Sequence, residues 1–147
     1  MINWQIKNFD SLTPHELYAI LRLRSEVFVV EQTCVFLDMD NKDGASWHLM
    51  GWKENKLVAY TRLVPAGVSY QYPSIGRVVT SPAERGTGLG KKLMEKSIDG
   101  SIQLFGETPI RIGAQYHLKK FYESLGFVQS SDIYDEDGID HIEMTRP

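Results

Sequence analysis

From Ile2 to Lys7, apolar and polar residues alternate with the two-residue period of a short strand. A helix is then announced. Thr13 and Glu16 stand at capping-box spacing, Pro14 falls at the first helical position, and Leu12 and Leu17 are placed for a hydrophobic staple. Leu17, Ile20, Leu21, Val27 and Phe28 mark one helical face, with Arg24 in the middle of it. Residues 33–46 are irregular and acidic. His48–Lys53 and Leu57–Val64 read as two strands joined by Glu54-Asn55-Lys56, a hairpin. After the loop Pro65–Pro73, the β-branched run Ile75–Thr80 predicts a strand that Pro82 stops. Gly86 to about Phe105 has helical spacing, with Leu89, Leu93 and Met94 inward and Lys91, Lys92, Glu95 and Lys96 outward. Gly100 is expected to end or weaken that helix. Ile110–Ala114 predicts a strand. Leu118, Phe121, Tyr122 and Leu125 form an amphipathic helix closed by Gly126. Phe127–Ser130 and His141–Thr145 are the last two strands. The order β-α-β-β-β-α-β-α-β-β predicts a mixed α/β sheet with helices packed on it.

Length and composition narrow the class. The 147 residues suit one domain spanning 1–147, with no repeat or linker. Hydrophobic residues are 42% and charged residues 24%, which excludes a disordered chain. A net charge of −3 is too balanced for a protein that lives on phosphate-backbone contacts, so nucleic acid is not an expected partner. The single cysteine, Cys34, cannot form an internal disulfide and reads as a small buried apolar group in a reducing compartment. No apolar run approaches a membrane span, and Met1 is not followed by a signal-peptide core. A cytoplasmic location without membrane or metal partners is therefore expected. Asp38, Asp40 and Asp43 have the wrong spacing for a calcium loop and read as a solvated loop or as substrate-facing acids.

The chemistry concentrates after the strand that Pro82 ends. Val78 to Gly90 reads Val-Val-Thr-Ser-Pro-Ala-Glu-Arg-Gly-Thr-Gly-Leu-Gly. Strand, turn, three glycines and helix leave backbone N–H groups converging at a helix N-terminus, where an anion is favoured. A phosphate or pyrophosphate is the natural ligand. A Walker loop would need glycine at Arg85 and a hydroxyl residue after Lys91, where Lys92 stands. A dinucleotide fingerprint would need G-x-G-x-x-G, and the chain has G-x-G-x-G. The pattern Arg-x-x-Gly-x-Gly, met by Arg85, Gly88 and Gly90, is that of an acetyl-coenzyme A loop.

On these residues the chain resembles the GNAT family of N-acetyltransferases. Arg85-Gly86-Thr87-Gly88-Leu89-Gly90 resembles that family's most diagnostic motif. Gln115 to Phe127 resembles its second motif, Asn-x-x-Ala-x-x-Phe-Tyr ending in Gly-Phe, with Gln115 for asparagine and Leu118 for alanine. Leu23–Gln32, Gly113-Ala114-Gln115 and Asp137–His141 resemble more narrowly the ElaA-type subgroup. The resemblance implies an α+β fold with a central, mostly antiparallel sheet and helices on both faces. It also implies transfer of an acetyl group from acetyl-CoA to a primary amine, by direct attack in a ternary complex.

The resemblance further assigns expected roles. Val78, Val79 and Thr80 would hold the pantetheine arm through their backbone, with the Val79 N–H as oxyanion donor. Gly86 to Lys91, by way of Thr87, Gly88, Leu89 and Gly90, would hold the pyrophosphate, with added charge from Arg85 and Lys91. Gln115 stands where the family contacts the cofactor arm. Tyr122 matches the general acid toward the thiolate. Glu31, His117 and His141 are candidates for the base, and Glu31 and His141 also for acceptor contact. Arg24 has two readings: an ion pair with Glu31 or with an acid of the following loop, or an acceptor-binding residue. The acceptor is expected to be a small-molecule or peptide amine. The acidic stretch Asp132, Asp135, Glu136, Asp137, Asp140 and Glu143 is a solvated face or borders that acceptor. A homodimer stays open.

Overall fold

Thr13 caps the first helix as its spacing predicts: its Oγ1 accepts the Glu16 N–H at 3.1 Å, and Glu16 Oε1 accepts the Thr13 N–H at 2.8 Å. The structure, a computed structural model, describes residues 1–147. Its strands and helices are β1 (Asn3–Asn8), α1 (Pro14–Arg24), β2 (Trp47–Lys53), β3 (Lys56–Val64), β4 (Ser74–Thr80), α2 (Leu89–Phe105), β5 (Ile110–Gln115), α3 (Lys119–Glu123), β6 (Val128–Gln129), β7 (Tyr134–Glu136) and β8 (Ile139–Arg146).

The strands form one sheet in the order β1-β2-β3-β4-β5-β8-β6, with β7 also on β8. Every pair is antiparallel except β4 with β5. This is the α+β fold with a mostly antiparallel sheet that the resemblance implied. β3 shows why both faces are covered. Tyr60 faces α1, in a cluster with Ile20, Leu23 and Val79. Thr61 and Leu63 point to the other face, where Thr61 shares a hydrogen bond of 2.7 Å with Ser97 of α2 and Leu63 packs with Met94 and Ile98.

Several boundaries differ from the periodicity. The first helix does not run evenly to Phe28. After Arg24 it widens into a π-helix over Ser25–Glu31, and the N–H of Gln32 reaches back to Val27 at 3.3 Å. The helix expected from Gly86 starts only at Leu89, because Gly86 and Gly88 adopt φ of +82° and +78°. Gly100 neither ends nor interrupts it. A Cβ there would lie 2.8 Å from Ile6 Cδ1, so the glycine lets α2 settle close on the sheet. β7 was not anticipated because Tyr-Asp-Glu lacks an apolar alternation. Asp137 and Gly138, both at positive φ (+52° and +83°), form the tight turn from β7 to β8.

Candidate functional site

β4 and β5 touch only at their start, where Ser74 pairs with Arg111; beyond it they part. A cleft of about 770 Å³ opens along the free edge of β4. The π-helix, the glycine loop, α3 and the β7–β8 hairpin supply its other walls.

The glycine loop meets one end of the cleft. No acceptor within the chain takes the N–H groups of Gly86 through Lys91; the first intrachain bond of α2 is Lys92 N–H to Gly88 O at 3.3 Å. Six consecutive donors at a helix N-terminus are suited to an anion. Gly86 and Gly88 are required by their positive φ. Gly90 is not, and the nearest atom to a Cβ placed on it is Phe121 Cζ at 4.0 Å. Neither backbone conformation nor protein packing demands a glycine at 90. A glycine there leaves the backbone open to close approach from the cleft. The Thr87 hydroxyl donates to Glu84 O at 2.7 Å and braces the loop, and its backbone N–H has no partner in the chain. Gly88, Leu89 and Lys91 also lie outside the cleft lining, and the Leu89 side chain is buried in the core. Gly88 and Leu89 can offer a ligand only backbone N–H, and Lys91 adds an exposed side chain at the helix start.

Tyr122 projects from α3 into the cleft, packed edge-on against Phe121 and Phe127. Its hydroxyl makes no hydrogen bond within the chain, and burial pushes its pKa up to about 12. Val78, Val79, Thr80, Gln115, His117 and His141 line the same space. Gln115 lies 3.5 Å from Gln32 Nε2 across it. His141 donates from Nδ1 to Ile139 O at 2.8 Å, and its Nε2 lies 3.3 Å from the Glu136 carboxylate. Glu31, at the end of the π-helix, forms a two-pronged ion pair with Arg85 of the glycine loop. That hydrogen-bonded pairing lowers the pKa of Glu31 and raises that of Arg85.

Arg24 is not at this site. It is 0% exposed and lies outside the cleft. Its Nε donates to Asp38 Oδ2 at 2.7 Å, its Nη1 to Asp43 Oδ1 at 2.8 Å and its Nη2 to the Asp38 carbonyl at 3.3 Å. The acceptor-binding reading of Arg24 is thereby corrected, as is pairing with Glu31. The acids of the 33–46 loop are corrected too: Asp38, Asp40 and Asp43 neither stand in solvent nor face a substrate but neutralise Arg24, Arg62 and Arg77. An apolar stripe cannot leave a guanidinium unpaired, and the loop supplies the carboxylates. Phe36 and Arg77 line the cleft without having been anticipated, while Glu136 and Asp137 bring the acidic stretch to its wall. Phe36 carries no local pattern that separates it from ordinary loop residues.

An open, mostly antiparallel sheet with one splayed parallel pair beside a glycine-rich helix start is the fold of acyl-CoA N-acyltransferases. The crystal structure of an acyl-CoA N-acyltransferase from Pseudomonas aeruginosa superposes with a TM-score of 0.96 at 44% identity, covering 100% of both chains. The chain belongs to the GNAT acetyltransferase family, whose domain matches residues 24–146. It is similar to the protein ElaA of Escherichia coli (strain K12), 43% identical over 148 residues that cover 99% of this chain and 97% of ElaA. The crystal structure of Escherichia coli ElaA superposes with a TM-score of 0.93. No helix is long and apolar enough to cross a membrane.

Proposed function

We propose that the protein transfers the acetyl group of acetyl-CoA to a primary amine by direct attack in a ternary complex. The observation that carries the reading is the run of unpaired N–H groups from Gly86 to Lys91, ending against Gly90 and opening onto the unpaired edge of β4. The loop takes the pyrophosphate of the co-substrate, with Arg85 beside it. The free edge of Val78, Val79 and Thr80 takes the pantetheine arm as an added strand, and Gln115 contacts it from β5.

In the transfer step the amine nitrogen forms a bond to the acetyl carbon, and the carbon–sulfur bond breaks. The Tyr60–Val79 pair of the β3–β4 ladder turns the Val79 N–H toward β3, so the donor to the oxygen on which charge develops comes from the free edge beside it, at Val78 or Thr80. Tyr122 donates its proton to the departing thiolate. A phenol with a pKa near 12 keeps that proton at neutral pH, and its hydroxyl is tied to nothing else in the chain. The amine must lose a proton before attack. His141, oriented through Nδ1 and with Nε2 beside Glu136, is the candidate to accept it or to hold the amine, and His117 stands on the same wall. Glu31 becomes available to the acceptor when Arg85 turns to phosphate. The free, buried Cys34 takes no part and fits a reducing cytoplasm.

Calorimetric titration with acetyl-CoA, followed by a thiol-release assay with a panel of small-molecule and peptide amines, tests the reading. Binding followed by amine-dependent thiol release is expected. No binding at high micromolar concentration would overturn the co-substrate, and binding without release would leave a sensor of acetyl-CoA rather than an enzyme.

A further inference from the structure

β4 changes direction where the cleft opens. Tyr60 pairs with Val79 and Arg62 with Gly76, so Arg77 and Val78 together oppose Thr61. Two residues against one make a β-bulge, which bends its strand. Arg77 holds φ at +51°, a left-handed position that glycine ordinarily fills. Gly76, next to it, has no such conformation. A bulky residue persists there only when its surroundings hold it.

The hold is visible. Arg77 Nη2 donates to the Asp38 carbonyl at 2.8 Å and stands 3.2 Å from Asp40 Oδ2. Its Nε lies 2.9 Å from Asp38 Oδ1, although the N–H is not aligned with that oxygen, so the contact is an ion pair rather than a hydrogen bond. Asp40 is gripped by both Nη atoms of Arg62, the β3 residue opposite Gly76, at 2.7 and 2.8 Å. Asp38 is gripped by Arg24 at the end of α1. The bulge is therefore fastened to α1 and β3 through one acidic loop. That loop also brings Phe36 to the cleft wall.

We propose that Arg77, clamped by Asp38 and Asp40, is a positioning residue that holds the β4 bulge and so keeps the β4 edge turned from β5 in the geometry acyl transfer needs. This rests on the acetyl-transfer reading of the cleft. Without the clamp, the backbone at 77 relaxes toward the extended region that a side chain prefers, and the N–H groups of Val78 to Thr80 turn with it. A displacement of about 1 Å at a reacting centre can cost about a hundredfold in rate. A lysine keeps the charge but has no fork to reach both carboxylates.

The experiment compares Arg77→Ala, Arg77→Lys and Arg77→Gly with the wild-type chain by amide hydrogen exchange in the ligand-free protein and by steady-state kinetics with acetyl-CoA. In Arg77→Ala and Arg77→Lys, exchange at residues 75–80 should rise about tenfold or more while β1 and β2 stay protected. Their kcat should fall about ten- to a hundredfold, with KM for acetyl-CoA within a few-fold. Arg77→Gly adopts the left-handed backbone without steric penalty and should recover about fivefold or more of the kcat lost in Arg77→Ala. Should Arg77→Ala fail to fold, Arg77→Lys carries the same readouts. Wild-type kcat in the lysine variant, unchanged exchange at residues 75–80, or a glycine variant no faster than the alanine one overturns the proposal. A wild-type chain that releases no thiol with any amine sinks the acetyl-transfer reading alone, and the exchange measurement still decides whether the clamp exists.

Discussion

Replacing Arg24 with methionine removes the guanidinium and keeps most of the apolar stem. Three hydrogen bonds disappear, to Asp38 Oδ2, Asp43 Oδ1 and the Asp38 carbonyl, from a side chain with no solvent exposure. Removing one partner of a buried pair typically costs about 3–5 kcal/mol, because the other charge is stranded. Here Asp43 keeps Arg62 at 3.0 Å, and Asp38 keeps its unaligned contact with Arg77. The loss should therefore fall at the lower end, about 3 kcal/mol. Against a urea slope of about 2 kcal/mol/M, that moves the midpoint down by about 1.5 M, read by tryptophan fluorescence. Acid supplies a second check. Burial raises the Asp43 carboxyl, but Arg24 and then Arg62 outweigh it and hold the pKa below the usual carboxylate range. A depressed folded pKa contributes stability that is complete above the unfolded value, near 3.9, and is lost as pH falls through the folded one. The variant has less of this to lose, so the gap between wild type and Arg24→Met should narrow below about pH 4. A midpoint shift under about 0.3 M at neutral pH, with unchanged slope, would refute the reasoning.

Tyr122→Phe should fold normally, since the hydroxyl has no partner within the chain, and should lower kcat about a hundredfold or more in a thiol-release assay. With the phenol pKa pushed to about 12, the wild-type rate should show no alkaline fall from this group below pH 10; a fall near pH 9 that vanishes in the variant would contradict the assignment. Gly90→Ala fits the free protein, where the nearest atom to its Cβ is 4.0 Å away, and should leave Tm unchanged or raised while weakening acetyl-CoA about tenfold or more by calorimetry. Equal affinity would move the phosphate site elsewhere. Gly100→Val should do the reverse: its Cβ starts 2.8 Å from Ile6 Cδ1 and 3.2 Å from Leu63 Cδ1, so overpacking should cost about 1–3 kcal/mol in urea unfolding with ligand affinity retained in the folded protein.

Elements with a strong local signature were legible in the sequence. The capping box of α1 and the closure after Tyr122 by Gly126, at φ +94°, depend on neighbouring residues and appear where the spacing puts them. The glycine loop was legible for the same reason, since backbone conformation and unpaired donors are properties of consecutive residues. Where a reading failed, the deciding contact came from far along the chain. Gly100 looked like a break, yet it answers Ile6 and Leu63 across the sheet.

What the sequence by itself determined is the order of elements, the place of the anion-binding turn and the family those residues resemble. Each rests on periodicity or on a contiguous motif. What only the tertiary structure decided is which charges meet. Arg24, Arg62 and Arg77 lie on three different elements, and their acids share one irregular loop; the sequence offered that loop to Arg24 as one of its readings but assigned nothing to Arg62 or Arg77. Glu31 and Arg85, 54 residues apart, likewise face each other only because the π-helix and the glycine loop meet at the cleft. A charge in an apolar stripe demands a partner, but its choice is made by the packing that brings distant loops within about 3 Å.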